Sequence, residues 1–133
     1  MSHSSLDKSD SLQTKKKLGT DAFAVLTTAM GSEEEAAALA RHLVEGRHAA
    51  CVQILNIGSV YRWNGKIEEN PEWMLICKIR MADYAQAEAA ILDLHSYETP
   101  EIIAVPVIEG FQPYLDWIAA STEPHAAMDA GRP

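Results

Sequence analysis

Long apolar runs are missing from this chain. No stretch approaches the ~18 uninterrupted apolar residues that a membrane helix needs, so no membrane partner is expected. Cysteine is scarce: Cys51 and Cys77 are the only two, with no C-x-x-C spacing. Two thiols in apolar, strand-like surroundings do not make a disulfide framework, and a free buried cysteine is an ordinary core residue. That points to a reduced, cytoplasmic setting, and the first residues carry no apolar core of an export signal. Positive charge is the minority, with 11 Lys and Arg against 19 Asp and Glu and a net charge of −8. A phosphate backbone calls for a basic face, so nucleic acid is not expected as a partner. Catalytic signatures are absent as well: there is no G-x-S-x-G, P-loop, H-E-x-x-H or dinucleotide fingerprint. The sequence therefore predicts a non-enzymatic protein with no catalytic residues and no organic cofactor.

What is present is enough apolar residue for one core, 47% of 133 residues with 23% charged. The organising stretch runs Ser59-Val60-Tyr61-Arg62-Trp63-Asn64-Gly65-Lys66-Ile67-Glu68. Asn64-Gly65 accepts positive φ at both positions, as a type I′ hairpin turn requires, and β-branched and aromatic residues flank it. No proline interrupts Ala49 to Trp63, and its one glycine, Gly58, marks an expected bend. Fully extended, that arm spans on the order of 50 Å, against ~17–20 Å for an ordinary strand. Its far end is expected to outreach its own sheet and find a partner.

Around this hairpin the elements fall in a regular order. Ala22 to Thr28 reads as a first strand. Ser32 and Glu35 form a capping box ahead of a helix to Glu45, with Ala36, Leu39, Ala40 and Leu43 as its stripe and Gly46 as an αL stop. The third strand starts at Lys66, is expected to break at Asn70-Pro71 with Pro71 at a bulge or edge, and resumes at Trp73. Asp83 is a candidate N-cap for a second helix whose stripe is Tyr84, Ala87, Ile91 and Leu94. A fourth strand over Glu101 to Val107 carries Pro106 and so belongs at a sheet edge, and Pro113 opens a short helix ending near Ser121. Residues 1–20, with Lys15-Lys16-Lys17, and 122–133 read as flexible tails. The order predicts an α+β, ferredoxin-like βαββαβ fold with an additional C-terminal helix and a long β2–β3 hairpin.

Two blocks carry a family resemblance: the hairpin with Ala49-Ala50-Cys51-Val52 before it, and His95-Ser96-Tyr97-Glu98-Thr99-Pro100-Glu101-Ile102-Ile103, followed by Tyr114-Leu115-Asp116-Trp117-Ile118. With them, residues 21–121 resemble the divalent-cation tolerance (CutA) family. The resemblance implies a trimeric, ferredoxin-like protein, a homotrimer with hairpins packed across subunit edges, and a kinship of fold with PII-type signalling trimers. It implies a divalent-metal, copper-type tolerance function without a defined reaction. One departure stands out. Where some bacterial members carry a cysteine near the end of the first strand and adjacent histidines, this chain reads Thr27 and Leu94-His95.

Four residues are candidate metal ligands, for Cu or Zn: His95, Glu98 and Glu101, within seven positions, and more weakly Cys51. The competing reading has His95 against helix carbonyls, the glutamates paired to lysines and Cys51 as a core thiol. Tyr61, Trp63, Lys66 and Glu68 form a second group at the turn, either a protein interface or a ligand pocket. The alternative function is a PII-like trimer binding a small anionic ligand at an inter-subunit cleft.

Overall fold

A computed structural model describes residues 23–123 of the chain. The elements are β1 (Phe23–Met30), α1 (Glu33–Glu45), β2 (Cys51–Trp63), β3 (Lys66–Arg80), α2 (Tyr84–Leu94), β4 (Ile103–Val107) and α3 (Gln112–Thr122), with a 3₁₀ turn at Met81–Asp83. The tails expected over 1–20 and 122–133 lie outside the described residues, except at Thr122 and Glu123. Thr122 closes α3, with its hydroxyl donating to the Ile118 carbonyl at 2.9 Å.

The four strands form one antiparallel sheet in the order β2-β3-β1-β4. Side chains alternate across it. Ala24, Leu26, Leu75, Cys77 and Ile79 point to one face and join Ala36, Leu39, Leu43, Ala87 and Ile91 of α1 and α2 in the core. The other face carries Val25, Thr27, Leu55, Ile76, Lys78 and Val105. Here α3 lies against the sheet: Lys78 sits over the Tyr114 ring and Arg80 donates to the Thr122 carbonyl at 3.5 Å. Beyond α3 this face is apolar and open, with Leu55, Ile103 and Val105 about half exposed.

The hairpin forms as its sequence demands and runs without the expected interruption. Asn64 and Gly65 take φ of 51° and 77°. From there the register runs without a slip from Trp63↔Lys66 to Cys51↔Lys78, so Gly58 makes no bulge and Pro71 makes no break. The reason lies in the ladder. A two-residue turn makes Trp63 and Lys66 an exchanging pair, and strict alternation then leaves Gly58↔Pro71 a non-exchanging one. The position where proline has no N–H therefore faces away from β2. β1 ends at Met30↔Trp73, so that side of Pro71 has no neighbour strand to miss the donor. The edge expectation was right and the interruption was not.

Two cap expectations need correction. Ser32 caps α1 as read, accepting from the Glu35 N–H at 3.1 Å. At the other end Gly46 has φ of −82°, and Arg47 is the residue in the left-handed region, at 62°. Gly46 is small for another reason: a Cβ there would meet the His48 ring at 2.8 Å. Asp83 stands at the N-cap position of α2 as read, but its side chain makes no capping bond; its carboxylate takes both arms of the Arg80 guanidinium at 2.9 and 3.0 Å. Leu94, read as part of the α2 stripe, is 47% exposed because the helix ends there and turns toward β1.

Two measurements check this packing. Asparagine caps helices as well as aspartate does, so Asp83→Asn would be silent if capping were the role. Because a charge-assisted bidentate pair is lost instead, we expect urea denaturation to give a loss of about 1–3 kcal/mol. His48 titrates below its ordinary 6.5, chiefly through burial and then through His42, with Asp83 opposing. Its folded form favours the neutral ring, so the stability it contributes is present above pH 6.5 and lost as the pH falls through the window below it. His48→Gln is expected to flatten the midpoint of unfolding between pH 7 and pH 5.

Candidate cation-binding cleft

Where α2 ends, the chain must turn back toward β4, and His95 holds that turn. The Tyr97 N–H donates to its Nδ1 at 3.1 Å, which leaves the proton on Nε2 to donate to the Ala29 carbonyl at 2.8 Å. Both nitrogens of a neutral imidazole are thereby used. The turn is pinned to the end of β1, and the Tyr97 ring packs 4.9 Å from that of His95. This is nearer the structural reading of His95 than the ligand reading, although its partner is a strand carbonyl and not a helix end.

Pinned in this way, the Tyr97 hydroxyl reaches across to β3 and donates to Glu72 Oε2 at 2.7 Å. Burial, followed by the Glu72 carboxylate, raises the Tyr97 phenol well above its ordinary range. Glu72 keeps only 7% of its surface exposed. Its carboxylate has one hydrogen bond and no ion pair among the described residues, far below the four acceptor sites it offers. Two further carboxylates stand nearby. Glu101 accepts from the Thr27 hydroxyl at 2.7 Å, and Glu98 is exposed at the rim.

These groups line a cavity of about 630 Å³ between the hairpin and the 97–101 segment. Its acidic side is Glu72, Glu98 and Glu101, and its aromatic side is Tyr61, Trp63 and Tyr97. Val60, Pro100 and Ala29 contribute apolar wall. Among the described residues no Lys, Arg or His lines it. The Tyr61 hydroxyl is itself held, accepting from Asn70 at 2.9 Å.

The eight residues singled out from sequence are thus divided. Glu98, Glu101, Tyr61 and Trp63 meet at the cavity. Lys66 and Glu68 sit beyond it on the hairpin, and His95 stands behind the wall with both nitrogens engaged. Cys51 is at the opposite end of β2, across from Lys78. Cys77 next to it points to the other face, where burial pushes its thiol up to about 12. Among the described residues no three His, Cys, Asp or Glu side chains converge closely enough to hold a metal ion. Sequence reasoning missed Glu72, whose signal was hidden by Pro71: reading the strand through that proline puts Glu72 opposite Ile57 and beside the cleft.

The family model described as CutA1 divalent ion tolerance protein matches residues 24–121. The chain is 39% identical over 99 residues to the divalent-cation tolerance protein CutA of Thermus thermophilus, covering 74% of this chain and 96% of that one. It is 41% identical over 92 residues to the protein of that name from Archaeoglobus fulgidus, covering 69% and 90%. The solved structure of the Archaeoglobus fulgidus protein, described as periplasmic, superimposes with a TM-score of 0.75 at 38% identity, over 76% of this chain and 99% of that one. A match across nearly every described residue, by sequence and by fold, places the chain in the CutA divalent-cation tolerance family.

Proposed function

We propose that this protein acts without catalysis, as a homotrimer of ferredoxin-like subunits that binds cations in the cleft beside its hairpin. One observation carries the reading: the cleft holds three carboxylates, none ion-paired among the described residues, and no cationic side chain. A cavity of that composition attracts cations and repels anions. The same observation argues against the PII-like alternative, since an anionic ligand needs the basic groups that are missing here.

For a divalent ion, Glu98 and Glu101 are the donors we favour, with the set completed by water or a neighbouring protomer. His95 would have to give up its contact with Tyr97, and Cys51 lies too far along β2. Oxygen donors without a thiolate or a free imidazole suit the borderline Zn²⁺ better than soft Cu⁺. The two free cysteines support a reducing, cytoplasmic compartment. Among the described residues no helix is long and apolar enough to cross a membrane.

The trimer is supported by what the subunit leaves uncovered. β2 and β3 continue about 23 Å past the end of β1, and a two-stranded ribbon of that kind is marginal alone. Its exposed side chains include Val60 at 68% and Ile67 at 58%, on the face of the ribbon away from the cleft. Sedimentation velocity at micromolar concentration is expected to show three times the 14.6 kDa subunit mass, and Val60→Asp to shift it toward monomer. A wild-type monomer would sink the assembly. Calorimetric titration with Zn²⁺ tests the donors. The double substitution Glu98→Gln and Glu101→Gln is expected to weaken binding at least about tenfold, the scale of losing charged ligands. Cys51→Ser should leave it unchanged. Equal affinity in the double variant would remove the cleft from the reading.

A further inference from the structure

A bare metal ion uses little of this cleft. Its volume of about 630 Å³ is that of a small-molecule site, within the usual ~300–1,000 Å³. Half of its wall is aromatic or apolar and offers a metal no donor. The most buried charge, Glu72, stands apart as a carboxylate with one oxygen bound to Tyr97 and the other without a hydrogen-bond partner among the described residues. A built feature of this kind calls for a donor of opposite charge that can be carried inward on an apolar body.

We propose that the cleft binds an organic ammonium ion, with the cationic head at Glu72 and the apolar body against Trp63 and Pro100. This rests on reading the cleft as a cation site and specifies what the site takes. Three features converge on it. An ammonium supplies the hydrogen bond that Glu72 Oε1 lacks, at charge-assisted strength. Tyr61, Trp63 and Tyr97 present ring faces and edges to a cation, a contact that gains strength when water is excluded. Glu98 and Glu101, nearer the mouth, favour positive charge on approach, and among the described residues no lysine or arginine pairs with any of the three carboxylates. A neutral ligand of the same shape can offer Glu72 only a hydrogen bond without the ion pair, and an anionic one is repelled.

The probe is benzylammonium, with benzyl alcohol as its uncharged counterpart, titrated calorimetrically into the full chain. Benzylammonium is expected to bind at millimolar concentration or below, and benzyl alcohol at least about tenfold more weakly, because only the former pairs with the buried charge. Glu72→Gln keeps an acceptor for the Tyr97 hydroxyl and removes the charge, so its fold should hold while benzylammonium affinity falls by a similar factor. The comparison of the two probes on the wild-type protein needs no variant. Equal binding of the alcohol, or no binding of benzylammonium, overturns the inference. With Zn²⁺ binding intact, failure of the ammonium leaves the divalent-ion reading standing; loss of both takes the cleft itself out of consideration.

Discussion

The continuous register of β2 against β3 is the constraint on which the rest depends. It starts at a turn that only residues tolerant of positive φ can make, and no bulge relieves it along the way. An unbroken ladder keeps every second side chain on one face for the whole length of the arm. That parity puts Glu72 on the same side as Ala29 and Tyr61, and it turns the donorless edge of Pro71 toward empty space. A one-residue slip anywhere along the arm would move Glu72 to the opposite face and leave Tyr97 without its acceptor. Cleft, ribbon and open edge are all consequences of one turn and its counting.

The second support is the His95 turn. A segment between a helix and an edge strand would ordinarily be loose, but both imidazole nitrogens are committed, one to β1 and one to the chain itself. Tyr97 is thereby aimed at Glu72 without a large entropic loss on making that bond. Gly31 belongs to the same arrangement: a Cβ there would stand 3.1 Å from the Tyr97 hydroxyl. The small residue keeps room for the phenol at the point where β1 gives way to α1.

Much of this was legible from residue order alone, for identifiable reasons. Ser32 and Glu35 announce a helix start because capping is local, and Asn64-Gly65 announces a turn because φ is local. Misreadings arose wherever a residue's meaning depended on a side-chain contact or strand end that local pattern does not encode, whether near or far along the chain. Pro71 looked like a break because its harmlessness depends on where β1 ends, more than forty positions earlier. Asp83 looked like a capping side chain because the cap pattern does not disclose that its neighbour Arg80 claims the carboxylate instead. Gly46 looked like the left-handed residue, yet the His48 ring is what keeps that position small. His95 and Glu98 are close in sequence but differently engaged: His95 is bonded to Ala29 and Tyr97, while Glu98 stands at the cleft. Glu72, the group at the centre of the cleft, carries no local signal.

Glu72 also separates what anchors the cleft from what charges it. The residue keeps 7% of its surface exposed and takes one side-chain hydrogen bond, from the Tyr97 hydroxyl. Glutamine would keep that bond, fill the same volume and carry no charge, so the negative charge is not needed to hold Tyr97 in place. A cation that binds the folded cleft and not the unfolded chain stabilises the protein by mass action. Affinity at this carboxylate and the stability of the loaded protein are therefore linked, while the anchoring bond is common to the loaded and empty forms.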